Sequence, residues 1–191
     1  MTPPGSRWNV ALGILLVARG RPEGLRYFED TRQAVLASLA PLAALLLVGA
    51  VLSLVSGAGV ALLGDVLILS IGLLAPLVLS YQIALRWGRA DEWYRFAVAI
   101  CWCNWAGPVA MVVPLFASSL LIAGGVPIGL AVEAGQIGLI LYALWLYWFI
   151  ARHALSLSRV RAAVLVVLVN AGTFVLVMLP LMIMEALQGA G

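Results

Sequence analysis

The chain has 191 residues, 64% hydrophobic and 10% charged, with a mean hydropathy of +1.12. A soluble domain is roughly 45–50% apolar and about 25% charged, so a water-facing globule and a disordered chain are both excluded. The net charge is +3 and no stretch is a basic run, which argues against a nucleic-acid partner.

The composition predicts an all-α integral membrane protein. The expected architecture is a polytopic transmembrane bundle of five helices with a short N-terminal interfacial helix. Residues 1–32 form a cytoplasmic or interfacial segment, residues 33–187 the transmembrane domain, and residues 188–191 an extracytoplasmic tail.

The first apolar run, Val10 to Ala18 after Arg7, is too short to span. A signal peptide would want a small residue where Leu16 stands. The run is read instead as a helix lying in the membrane interface, anchored by Trp8. The first span is Gln33 to Ser56, with Asp30 as N-cap and Gln33 completing a capping box. Ser56-Gly57-Ala58-Gly59 signals a turn, and the second span runs from Leu62 to Leu85. Asp65 sits in its first turn, where a carboxylate suits the helix dipole.

A polar loop from Arg86 to Arg95 follows, with Asp91 as the expected N-cap of the next helix. From Phe96 to Ala151 the only charge is Glu133. That stretch is too long for one helix, and Gly124-Gly125-Val126-Pro127 divides it. The third span is therefore Tyr94–Leu121 and the fourth Leu130–Ile150, with Gly107-Pro108 the sharpest expected bend. Ser158 is an N-cap candidate for the fifth span, Val160–Leu187.

This layout puts all 11 positive residues, every one an arginine, on one side. The positive-inside rule makes that side cytoplasmic, with the N-terminus inside and the C-terminus outside. Arginine without lysine hints at a GC-rich genome, hence a bacterial inner membrane. The seven tryptophans, Trp8, Trp87, Trp93, Trp102, Trp105, Trp145 and Trp148, all fall in the cytoplasmic half. They read as an anchoring belt or as a rim that faces a partner.

Polar residues at membrane depth are the site candidates. Asn104 and Asn170 lie at similar depth in spans three and five and could hydrogen-bond across the bundle. Gln82 ends span two with Ser80 and Tyr81. His153, the single histidine, sits at the interface beside Arg152. Cys101 and Cys103 would lie about 200° apart on a helix, which prevents a disulfide between them. No catalytic constellation, metal-binding cluster or phosphate loop is present, so neither an enzyme nor a cofactor is expected. Asp65, Glu133 and Glu185 all lie near span ends, which argues against an ion-coupled path.

Two short pieces carry a family resemblance: Pro22-Glu23-Gly24-Leu25-Arg26-Tyr27-Phe28 and the pair Asn104-Trp105. They resemble stretches of bacterial members of the Ypt-interacting-protein (Yip) superfamily. The resemblance implies five transmembrane helices, a cytoplasmic N-terminus and a role in membrane organisation or partner binding rather than catalysis. The Asp-Leu-Tyr-Gly-Pro-type stretch of eukaryotic members is missing, so GTPase binding is not carried over. The expected function is that of a non-enzymatic accessory or scaffold subunit, contacting lipids and a protein partner or a second copy. Asn104, Trp105, Asn170 and Gln82 are the candidate contacts. The alternative is a small transporter, channel or lipid-handling protein with a polar path near Asn104 and Asn170.

Overall fold

The computed structural model describes residues 6–55, 59–105 and 112–189. The chain is 88% helical, with no strand among the described residues. Helix α1 is Ser6–Ala18, and a 3-10 helix follows at Pro22–Tyr27. Then come α2 (Arg32–Val55), α3 (Gly59–Arg86), α4 (Ala90–Trp105), α5 (Val112–Ala123), α6 (Ile128–Ala154) and α7 (Arg159–Gly189). Expected elements on Ser56–Ala58, at Gly107-Pro108 and in residues 190–191 lie outside the described residues, as do the side chains of Trp8, Asp65 and Glu185.

Among the described residues, four segments are long and apolar enough to cross a membrane: Arg32–Leu52, Val66–Arg86, Ile128–Ala154 and Arg159–Leu179. The shortest have 21 residues. At 1.5 Å per residue that reaches about 32 Å, enough for a hydrocarbon core of about 30 Å. The described residues of the expected third span, Tyr94–Leu121, fall in α4, which ends at Trp105, and in α5, which begins at Val112; residues 106–111 between them lie outside the described residues.

Helix ends follow local chemistry. Gly20, Gly88 and Gly125 have φ of 73°, 67° and 89°, and each follows a helix. In each case a backbone N–H reaches back five residues: Arg21 to Leu16, Arg89 to Ala84 and Val126 to Leu121. This is the Schellman closure, which needs a left-handed residue that glycine supplies without a Cβ clash. After α6 the same closure, Leu157 N–H to the Arg152 carbonyl, is made with Ser156 at φ 52°.

Ser158 caps α7 as expected, its Oγ accepting from the Arg161 N–H at 3.3 Å. Two caps differ from expectation. Thr31, not Asp30, caps α2: its Oγ1 accepts from the Ala34 N–H at 3.1 Å. Asp30 lies one residue too early and its carboxylate instead meets Arg95 at 2.9 Å. Asp91 is inside the first turn of α4, because the helix already starts at Ala90.

The helices alternate in direction. Gly72 faces Val177 while Gly172 faces Leu79, so α3 and α7 run antiparallel. Phe96 meets Tyr147 at a ring separation of 5.6 Å, and α4 runs against α6. The Asp30–Arg95 pair joins the start of α2 to the start of α4. These pairings gather Arg32, Arg86, Arg89, Arg95, Arg152, Arg159 and Arg161 at one end of the bundle.

The core sits in the half nearest that end. The run Phe96 to Cys101 is wholly buried, closed in by α2, α3 and α6. Around it lie Val35 and Ser38 of α2, Leu77, Ser80 and Ala84 of α3, Phe149 and Ile150 of α6, and Leu165 and Val169 of α7. Farther from the arginines, buried side chains are sparse among the described residues. There α5 packs on α6 alone among its principal contacts, and Val113, Leu115 and Phe116 are exposed.

Candidate functional site

The polar groups of the packed half hold helices together. Ser80 donates to the Leu77 carbonyl at 2.9 Å, and its Oγ accepts from Trp93 Nε1 at 3.1 Å. One buried hydroxyl thus ties α3 to α4. Trp93 also stands edge-on to Tyr81 and Tyr94. Tyr147 brings its ring to Phe96, and its hydroxyl is buried without a hydrogen-bond partner. The tryptophan rim is therefore more than an anchoring belt: Trp87, Trp93, Trp102 and Trp148 pack against the core.

On α6, Tyr142, Trp145, Phe149 and His153 form a ladder of rings with centroids 5.7, 5.5 and 4.6 Å apart. Spacings of three and four residues put such side chains on one helix face. The Tyr142 hydroxyl donates to the Ala18 carbonyl at 2.8 Å, where an orphaned acceptor at the end of α1 needs a partner. Arg152 lies over the Trp148 ring at 5.6 Å, and Trp148 Nε1 donates to the Arg159 carbonyl at 3.0 Å.

The four candidate contacts do not form one site. Asn104 is exposed on the last turn of α4, and its side chain makes no hydrogen bond among the described residues. With Trp105 it lines a groove of about 310 Å³ between α2, α3 and α4, alongside Ser38, Leu39, Pro76 and Cys101. Asn170 lies on α7, and its Nδ2 donates to the Val166 carbonyl of its own helix at 2.8 Å. No hydrogen bond joins it to Asn104. Gln82 is exposed near the end of α3 and lines none of the three main grooves.

A second groove, of about 710 Å³, lies between α1, α5 and α6 and is walled by Ala11, Ile14, Ala117, Ala134, Gly138 and Leu139 among others. Neither of these grooves is lined by a carboxylate, a histidine or an arginine. Such linings suit apolar chains or helix faces rather than proton transfer or ion coordination. Among the described residues no group of three or more His, Cys, Asp or Glu could hold a metal.

Sequence reasoning missed Ser38 and Tyr147, and read Ser80 only as a polar residue ending span two beside Gln82. Serines scattered in apolar helices bond back to their own carbonyls, as Ser38 does to Val35 at 2.8 Å. Their pattern alone does not separate a packing contact from a lipid-facing one. The chain matches no protein family, no curated protein and no solved structure.

Proposed function

We propose that the chain is a non-enzymatic membrane protein that works by contact. It is an accessory or scaffold subunit, or an organiser of the membrane, in the manner expected of a bacterial Yip-like protein. In this reading α4 and α5 together make one crossing, for five in all, and α1 lies in the interface. The arginine end is cytoplasmic by the positive-inside rule, the C-terminus is extracytoplasmic, and the membrane is a bacterial inner membrane.

The observation that carries the contact reading is the unpaired amide of Asn104 on an exposed helix face beside Trp105. In hydrocarbon an amide without partners is costly. A helix of a partner subunit or of a second copy satisfies it, and asparagine is self-complementary in donors and acceptors. The amide of Asn170 has already found a carbonyl, which favours a contact surface over a shared polar path.

The test is extraction in a gentle detergent, with co-purifying subunits identified by mass spectrometry and the complex sized. Asn104→Leu is expected to dissociate the complex while helix content stays constant. Asn170→Leu is expected to leave it intact. An Asn104→Leu protein of unchanged size and composition would remove the basis of the reading.

A further inference from the structure

A third groove differs from the other two in its mouth. It has a volume of about 760 Å³ and lies where α1, α2 and α4 meet. Its walls are Val10, Ala11 and Ile14 of α1, Ala34 and Ala37 of α2, and Val98 and Trp102 of α4. Arg26, Tyr27, Phe28 and Glu29 close one end. Arg26 and Glu29 are both exposed, and among the described residues neither side chain forms an ion pair or a hydrogen bond. Nor does the Trp102 indole N–H make a hydrogen bond among them.

The groove is placed across the membrane boundary. Asp30, next to Glu29, meets Arg95 at the arginine end of the bundle. Val98 and Trp102 are three and seven residues farther along α4, about 4.5 and 10 Å deeper. The opening is at headgroup level, and the apolar floor descends into the hydrocarbon.

We infer that this groove binds a zwitterionic phospholipid carrying a phosphate and an ammonium group, with one acyl chain along the floor. The Arg26 guanidinium takes the phosphate, its planar donor fork matching two phosphate oxygens. The Glu29 carboxylate takes the ammonium. A purely anionic headgroup satisfies Arg26 but brings a second negative charge toward Glu29. Trp102 offers a donor at the depth of the ester carbonyls. The two small residues on α2, Ala34 and Ala37, leave room for the chain. This site is independent of the contact role proposed above.

Native mass spectrometry of the purified chain, offered equal phosphatidylethanolamine and phosphatidylglycerol, reads the preference directly. The wild type is expected to retain the ethanolamine lipid about tenfold better, the scale of one charged hydrogen bond. Glu29→Gln is expected to erase that preference, and Arg26→Gln to weaken retention of both lipids. Ala37→Trp, which fills the groove without changing charge, is expected to lower retention of both, with helix content checked by circular dichroism. Equal retention by the wild type, or an unchanged ratio in Glu29→Gln, overturns the assignment.

Discussion

The two halves of this bundle are made from much the same residues and behave differently. Near the arginines, most of the buried side chains gather, and they include hydroxyls and rings in specific contacts. Away from them, the same helices carry leucine, valine and phenylalanine outward. Burial in α2 reaches Ser38, in α3 it begins at Ala75, and in α7 it ends at Val169, among the described side chains. The extensive α5–α6 contact runs against the pattern, and there Ser118 Oγ donates to the Ala131 carbonyl at 2.9 Å. In a bilayer, lipid tails are as apolar as leucine, so hydrophobicity does not pull helices together. Shape and polar bonds do, and both are concentrated in one half. The other half is left for lipid or for a partner.

A matched pair of phenylalanines breaks or sustains that contrast most directly. Phe96 is 0% exposed and Phe116 is 65% exposed. Phe96→Ala leaves a cavity among α2, α3, α4 and α6, with an expected loss of about 3–5 kcal/mol. Phe116→Ala removes only a lipid-facing ring, with an expected change of less than about 0.5 kcal/mol. Unfolding in mixed micelles measures both. Equal losses would mean that the open half is packed as tightly as the closed one.

Two glycines repeat the test through close approach. A Cβ on Gly24 would stand 2.7 Å from the Gly13 carbonyl oxygen and 2.8 Å from Leu16 Cβ. Gly24→Val therefore forces the 3-10 helix off α1, at an expected cost of about 1–3 kcal/mol. Gly138 meets nothing within 4 Å, and Gly138→Val is expected to be neutral. Trypsin cleavage after Arg19 and Arg26 reports the loosening. It is expected to accelerate in the first variant only.

Turn chemistry is expected to ignore the division between halves. Ser156 adopts φ 52°, and Gly125 adopts φ 89° at the opposite end of α6. Ser156→Gly relieves a left-handed serine and is expected to gain about 1 kcal/mol, while Gly125→Ser is expected to lose about as much. Thermal denaturation in detergent reads the two shifts, which should have opposite signs. Shifts of the same sign would show that neighbouring contacts, not backbone conformation, set the energy of these turns.

Much of this was legible in the chain because a bilayer writes length into sequence. The apolar runs from Gln33, Leu62, Leu130 and Val160 correspond to α2, α3, α6 and α7 within a few residues. Rotation about a helix axis was hidden. Each residue turns the helix by about 100°, so two asparagines at equal depth need not face each other. Asn170 found a carbonyl one turn back on α7, a bond that hydropathy does not encode. The unbroken burial of Phe96 to Cys101 is a property of three neighbouring helices. It could not be read from α4 alone.

The smallest expected effect concerns the ion pair between Asp30 and Arg95. Their side chains are 37% and 44% exposed, and the oxygen–nitrogen distance is 2.9 Å. A pair this exposed contributes only about 0.2–1 kcal/mol, because water and salt screen it. Its interest is positional. The other ion pair among the described residues, Arg89 with Glu92, lies within one helix turn and joins nothing distant. Asp30–Arg95 spans 65 residues and pins the segment before α2 to the start of α4, at the mouth of the groove bounded by Glu29. A double-mutant cycle with Asp30→Asn and Arg95→Gln is expected to give a coupling energy of a few tenths of a kcal/mol in dilute buffer. That coupling should shrink as salt rises toward 1 M, where the screening length falls to about 3 Å. A coupling that persists at high salt would place the pair in a drier setting than its exposure implies, and would carry the closed half of the bundle out to its arginine rim.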